Sequence, residues 1–315
     1  MSKDIQEIID LPVLVLIGPT AIGKTALALE LADRFCCEIV SVDSMQVYRY
    51  MDIGTAKPSL KEQKRVIHHL IDIVDPDMQF DAAQFVKHTL SAINKIISKG
   101  KIPLLTGGTG LYLKALVNGI FDHESATDET IRANLIQQLE SDGNLKMFAQ
   151  LQKVDPETAS RIHPNDSQRL LRALEIYQIS GRPWSEHLQD QPTPPVQFKK
   201  ILQLGLTCDR QLLYDRIEER SKHMMQAGLI QEVEGLREMG YTSDLSSMQS
   251  IGYRHVNNYI DGVWDIDETI RLLMRDTRRY AKRQMTWFGN NPALQWFDRD
   301  KTDDVVQNTD KWLND

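Results

Sequence analysis

The octapeptide GPTAIGKT at residues 18–25, directly after the apolar run LPVLVLI, constrains this chain more than any other feature. It fits the pattern G-x-x-x-x-G-K-[ST] between a predicted strand and a predicted helix, the setting in which that pattern holds phosphate. The glycines let backbone N–H groups turn inward around an anion. The helix amino terminus adds the positive end of its dipole. Lys24 supplies a point charge, and the Thr25 hydroxyl is placed to hold Mg²⁺. Gly18, Pro19, Thr20, Ala21, Ile22, Gly23, Lys24 and Thr25 are therefore the candidate phosphate-binding residues.

The surrounding pattern is that of a parallel sheet with crossover helices. Residues 11–17 read as a buried strand, 24–35 as the helix after it, and EIVSVD as a second strand ending at Asp43. An amphipathic helix follows at about residues 81–98, with Phe85, Val86, Ile93, Ile96 and Ile97 on one face. Lys99 and Gly100 stop it, and KIPLLTGG reads as a third strand running into a glycine turn. From about residue 122 to 195 strand character disappears. Helical stretches such as ETIRANLIQQLE and DSQRLLRALEIYQ replace it, and QPTPPVQ closes the region. FKKILQLGLTCD returns to strand character, with a late strand near LQWFD. The expected fold is α/β, a P-loop NTPase-like parallel sheet core built from residues 1–121 and 196–315. A mainly helical insertion, residues 122–195, interrupts it.

Composition sets outer limits. A chain of 315 residues with 41% apolar and 26% charged side chains can bury a large core, as two domains or as one carrying an insertion. No apolar run approaches the ~20 residues that span a bilayer, and MSKDIQEIID has no basic region followed by an apolar one, so neither a membrane span nor a signal peptide is expected. Cys36, Cys37 and Cys208 form no ligand pattern. That argues against a disulfide framework or a zinc site and fits a cytoplasmic location. The net charge of −7 speaks mildly against nucleic acid, but affinity follows local basic patches rather than the total.

Such a patch exists in RLLMRDTRRYAKRQ. Arg271, Arg275, Arg278, Arg279, Lys282 and Arg283 fall along one helical stripe, interrupted only by Asp276. A nearly single-sign stripe repels itself, and a phosphate backbone is its natural partner. Asp43 is the second feature of interest. A carboxylate at the carboxyl end of a parallel strand, near a phosphate loop, lies where open α/β sheets bind ligands. It could bind metal or accept a proton. KIPLLTGG ends without the Mg²⁺-binding carboxylate that phosphoryl transfer would call for.

GPTAIGKT, SVDSMQVYRYMDIGTAKP, HHLIDIVDP, GGTGLYL, HPNDSQRLLRALEIY, IGYR and AKRQMTWF occur in this order along almost the whole chain. In this the chain resembles the bacterial tRNA dimethylallyltransferases, the tRNA isopentenyltransferase family. Ile22 stands where a Ser is expected, and the zinc finger of the eukaryotic relatives is absent. The resemblance implies transfer of the dimethylallyl group from dimethylallyl diphosphate to the exocyclic N6 amine of the adenosine on the 3′ side of the anticodon in tRNA. Diphosphate leaves, with Mg²⁺ as cofactor held at Thr25. By the same resemblance Asp43 is the candidate base, Thr20 bonds the leaving group or orients Asp43, and one of Arg216 and Arg220, with Arg220 favoured, binds the diphosphate. The implied tRNA contacts are Asp43, Ser44, Met45 and Gln46, then Thr109, then Gln168, Arg169, Leu170, Leu171 and Arg172 on the insertion, although helical spacing turns Leu170, Leu171, Leu174 and Ile176 to the core-facing side and Arg169 with Arg172 to a neighbouring one. Arg275 and Arg279, from the basic stripe, and Arg254, after a turn expected at Gly252, are added to these from the residues themselves. Tyr253, Tyr280 and Trp287 are lesser candidates for contact with RNA. No obligate protein partner is expected. Two other readings are a prenyltransferase acting on free adenylate and a small-molecule kinase. The helical insertion and the basic stripe favour a large RNA over the first.

Overall fold

The computed structural model describes residues 7–119, 128–189 and 194–315. Its strands in chain order are β1 (Glu7–Ile9), β2 (Val13–Ile17), β3 (Cys37–Val42), β4 (His68–His69), β5 (Ile102–Gly107), β6 (Val196–Phe198), β7 (Ile201–Thr207) and β8 (Leu294–Asp298). The apolar run ahead of the phosphate loop, β2, is buried at every position, as a strand flanked on both sides and covered on both faces must be. It lies inside a six-stranded parallel sheet of order β4-β3-β5-β2-β7-β8. Strands β1 and β6 form a separate parallel pair.

Register places the functional loops. Ile17 of β2 and Val42 of β3 both lie opposite Gly107 of β5. The three strands thus reach their carboxyl ends at one level. With parallel neighbours about 4.8 Å apart, the phosphate loop and Asp43 leave the sheet roughly 10 Å from each other.

The chain divides into two compact units, Met1–Lys114 with Val196–Asp315, and Ala115–Pro195. The boundary expected between residues 121 and 122 lies outside the described residues. Helices α1 (Lys24–Arg34), α2 (Leu60–Arg65) and α3 (Ala82–Ile97) belong to the first unit, and α4 (Gly110–Asn118) starts in it. The second unit contains α5 (Glu129–Val154), α6 (Pro156–Arg161), α7 (Ser167–Ser180) and α8 (Trp184–Gln189). The first unit resumes with α9 (Arg210–Gln226), α10 (Leu229–Glu238), α11 (Tyr253–Ile260), α12 (Ile266–Gly289) and α13 (Thr302–Asn314).

Apolar packing explains each unit. Leu14, Leu16, Leu31, Leu104, Leu204 and Ile217 close the core around the sheet. A second cluster, with Val47, Met51, Leu229, Val233 and Tyr253, lies under the segment after β3. In the helical unit Leu135, Met147, Leu151, Leu170 and Leu174 form their own core. The buried face of α3 is Ala82, Phe85, Thr89, Ala92, Ile93 and Ile96, whereas Val86 and Ile97 lie half-buried at its margin. Asp81 caps this helix by accepting the Gln84 N–H at 2.8 Å. Strands β1, β4 and β6, of two or three residues, are too short to carry a period of two and so escape a reading of the sequence. Helix α2 is short as well, and a Ser59–Glu62 capping box holds its amino terminus.

Candidate active site

A cavity of about 740 Å³ opens at the carboxyl ends of β2, β3 and β5. Residues 20–25 of the phosphate loop, Asp43 to Gln46 and the Gly107–Gly108 turn line it, together with Arg216, Arg220, Arg254, Tyr280, Arg283 and Gln284. Every one of these residues belongs to the first unit.

The loop is shaped by its glycines and by one distant side chain. Gly23 has φ +112° and forms the N-cap of α1, a conformation that an L side chain resists. Gly18 and Pro19 lie buried beneath the loop, and their carbonyl oxygens accept hydrogen bonds from Lys24 Nζ at 2.9 and 2.8 Å. The Thr20 N–H donates to Gln284 Oε1 at 2.8 Å and is therefore not free for phosphate. Gln284 Nε2 in turn donates to the Gly108 carbonyl at 2.9 Å. A Cβ on Gly108 would stand 2.1 Å from that nitrogen, so only glycine permits the contact. Ile22 is buried in the core under the loop, which is where an isoleucine in place of serine is at home.

Lys24, Arg220 and Asp43 form the charged centre. Burial, and then the nearby Arg220 charge, push Lys24 down to about 7, with Asp43 acting in the opposite sense. Burial also lowers Arg220, again opposed by Asp43. Arg216 Nε donates to the Ala21 carbonyl at 2.8 Å and is thereby tied to the phosphate loop. Both arginines line the cavity.

Asp43 sits immediately after β3, where its Oδ1 accepts the Met45 N–H at 2.8 Å and the Gln46 N–H at 3.3 Å. This Asx-type turn fixes the carboxylate and leaves Oδ2 without a hydrogen bond among the described residues. No hydrogen bond joins Thr20 to Asp43 there. The hydroxyl of Thr109 accepts the Ser44 N–H at 3.1 Å, so Thr109 braces the Asp43 turn from the turn after β5. Gln46 Oε1 accepts from the Ser41 hydroxyl at 2.9 Å, while its Nε2 faces the carbonyls of Thr55 and Ala56 at 3.4 and 3.3 Å. Tyr280 is half-buried on the cavity wall, and burial raises its hydroxyl well above the ordinary phenol range.

The basic helix divides its side chains. Arg283 lines the cavity and lies over the Tyr280 ring at 5.7 Å, apart from the rest of the expected stripe. Asp276 does not merely interrupt the stripe. It is buried and accepts from Arg254 at 2.6 Å, from Arg275 at 2.9 Å and from Arg279 at 3.5 Å. Burial opposes its charged form, but the bonds from Arg275 and Arg254 outweigh burial and hold the carboxyl below the usual range. Trp287 is exposed and packs one edge against Gly110. Tyr253 is corrected as a contact with RNA: it is fully buried and donates to Glu232 Oε1 at 2.6 Å.

In the helical unit, Gln168 and Arg169 are exposed, with Arg169 paired to Asp166 at 3.1 Å. Arg172 pairs at 2.8 Å with the buried carboxylate of Glu175. Leu170 and Leu171 are corrected as tRNA contacts. They are 0% and 8% exposed and belong to the core of the unit, because α7 must turn one face inward. Gln284 and Glu232 were missed as positioning groups. Gln284 lay inside the AKRQMTWF motif, but nothing in its spacing announced a partner 264 residues away.

Residues 46–291 match the IPP transferase family. The tRNA dimethylallyltransferase of Desulfotalea psychrophila is 53% identical over 96% of each chain. Among solved structures, a full-length tRNA isopentenylpyrophosphate transferase from Bacillus halodurans is 38% identical with a TM-score of 0.69, covering 98% of this chain and 97% of that one. A eukaryotic dimethylallyltransferase described as acting on tRNA is 30% identical with a TM-score of 0.76, over 91% of this chain and 74% of that one. The similarity runs over nearly the whole chain, and the chain belongs to the IPP transferase family, that of the tRNA dimethylallyltransferases.

Proposed function

We propose that this chain transfers the dimethylallyl group of dimethylallyl diphosphate to the exocyclic N6 amine of the adenosine 3′-adjacent to the anticodon in tRNA. The observation that carries the reading is the sharing of one cavity by the phosphate loop and a fixed carboxylate with a free oxygen. In the reaction the allylic C–O bond breaks, the C–N bond forms, and the diphosphate leaves with the electron pair. Lys24, Arg216 and Arg220 stabilise the negative charge that grows on the leaving group. The adenine amine is a weak nucleophile because its lone pair is delocalised into the ring. Asp43 Oδ2 takes the amine proton as the new bond forms, a contribution of about 10²- to 10⁴-fold.

Mg²⁺ fits the donor set. Thr25 is exposed on the cavity wall in the first turn of α1, and no cluster of three or more His, Cys, Asp or Glu exists among the described residues. One hydroxyl completed by water and substrate oxygens suits an ion that dehydrates reluctantly. Bound there, Mg²⁺ would neutralise charge on the leaving diphosphate.

The adenosine must leave its stack to bring N6 to the prenyl carbon, so the segment Asp43 to Gln46 is read as one wall of the base pocket. Gln168, Arg169 and Arg172 on the helical unit, and Arg254, Arg275 and Arg279, are read as contacts to the tRNA. Soluble substrates suit a cytoplasmic enzyme without an obligate protein partner, and no helix among the described residues is long and apolar enough to cross a membrane.

The test is incubation of purified protein with Mg²⁺, labelled dimethylallyl diphosphate and unmodified tRNA, with free AMP in parallel. Label in tRNA and none in AMP is expected. Label in AMP would replace this reading with a free-nucleotide prenyltransferase.

A further inference from the structure

A second cavity, of about 430 Å³, opens between α9 and α12, and none of its lining residues lines the first. Five arginines and a lysine surround one aromatic ring there, that of Tyr214. The protein cancels this charge only in part. Arg271 pairs with Glu268, while Arg275 and Arg279 share Asp276. Arg210, Arg278 and Lys282 have no carboxylate within ion-pairing distance among the described residues.

The geometry around Tyr214 is specific. The guanidinium carbons of Arg210 and Arg278 lie 5.1 and 5.8 Å from its ring centroid, so two like charges are gathered on one ring. Arg210 Nε donates to the Tyr214 hydroxyl oxygen at 3.0 Å. A guanidinium cannot accept, so the tyrosine proton remains available to an acceptor from outside. Arg278 Nε is buried and has no hydrogen-bond partner among the described residues. A buried donor left unsatisfied beside uncancelled positive charge calls for an anion.

We infer that this pocket binds a phosphate group, and that the phosphate belongs to the sugar–phosphate backbone of the tRNA acceptor. The inference rests on tRNA being the acceptor. The basic side chains of α12 from Arg271 to Lys282 span about 16 Å at 1.5 Å per residue. A free diphosphate is much shorter than that, whereas a nucleic-acid strand carries one phosphate after another along such a line. Arg210, Tyr214 and Arg278 thus form a backbone clamp outside the catalytic cavity, and they supply affinity without reading sequence.

The test is the tRNA dissociation constant of the full chain as a function of salt, for wild type, Arg210→Gln with Arg278→Gln, and Tyr214→Phe. The double variant should weaken binding at least fivefold near 0.15 M salt and reduce the slope of log K against log salt by about one unit. Its loss should appear in KM for tRNA rather than in kcat. Tyr214→Phe keeps the ring and the charges, so it should weaken binding severalfold with the slope retained. Should the double variant fail to fold, Lys282→Gln, at an exposed position, takes its place with the same expected drop in slope. Variants indistinguishable from wild type, in a protein that does prenylate tRNA, would overturn the clamp alone. So would a binding site for inorganic diphosphate that the double variant loses while its tRNA binding is unchanged, since that assigns the pocket to a free anion. Wild-type protein that labels no tRNA would remove the proposed function itself, and the clamp with it.

Discussion

Thr20 and Gln284 are joined by a hydrogen bond of 2.8 Å although 264 residues separate them. Through the same amide Gln284 also holds Gly108, so one side chain of α12 sets the distance between the phosphate loop and the turn after β5. Gln284→Ala would leave the part-buried Thr20 N–H and the buried Gly108 carbonyl without their partner. A loss of about 2–4 kcal/mol is expected from that, read by denaturant unfolding. Diphosphate binding should weaken with it. Gln284→Glu can still accept from Thr20 but cannot donate to Gly108, and an intermediate loss is expected. Equal stability of both variants and wild type would show that the bridge holds nothing.

The lowered Lys24 makes anion binding a proton-linked event. In the free site this amine titrates near 7, so above that pH it is increasingly neutral. A bound diphosphate favours the charged form, and binding above pH 7 must then take up a proton. The sign follows: affinity is fully expressed below about pH 7 and falls as pH rises, by up to about tenfold per unit, until the pKa of the complex is passed. Calorimetry in buffers of different ionisation enthalpy should show the uptake, and Lys24→Arg, which stays charged, should abolish it. An identical proton count for wild type and Lys24→Arg would contradict the assignment.

Glu232 clamps the loop that supports Gln46. Its two oxygens accept the N–H groups of Asp52, Ile53 and Gly54, at 3.0, 2.7 and 3.1 Å, as well as the Tyr253 hydroxyl. The next residues, Thr55 and Ala56, offer their carbonyls to the Gln46 amide. Glu232→Gln replaces one acceptor oxygen with a donor and is expected to cost about 2–4 kcal/mol, while Tyr253→Phe removes one donor of four and should cost about 1–3 kcal/mol. Thermal unfolding orders the two. A Tyr253→Phe loss larger than that of Glu232→Gln would place the weight on the ring rather than on the clamp.

Leu170 belongs to the core of the helical unit, not to its surface. Leu170→Ala should destabilise that unit by about 2–5 kcal/mol, seen as an earlier unfolding step or as faster proteolysis. Exposed Gln168→Ala should leave stability within about 0.5 kcal/mol. The opposite ranking would return Leu170 to the surface.

Sequence reading was strongest where local chemistry decides structure. The strand, glycine turn and helix around Lys24 were legible because the conformation of Gly23 and the burial of β2 are local properties. The family was legible because its motifs recur in fixed order. Less visible were the partners supplied by folding. Nothing in sequence links Gln284 to Thr20, Glu232 to Asp52, or Arg210 to Arg278 across the Tyr214 ring. At Leu170 and Leu171 the helical period and the family resemblance pointed in different directions, and the structure follows the period. A motif marks the whole segment, and only the 3.6-residue period of α7 separates its exposed Gln168 and Arg169 from its buried leucines.

The most direct measurement is single-turnover prenyl transfer by Asp43→Asn with saturating tRNA and dimethylallyl diphosphate. Asparagine keeps an oxygen for the Met45 and Gln46 N–H groups, so the turn survives while the proton acceptor is lost. The chemical step should slow by about 10²- to 10⁴-fold, with the affinities for both substrates within a fewfold of wild type. A rate within a fewfold of wild type would contradict the role of Asp43 as the base and leave it as a turn residue only.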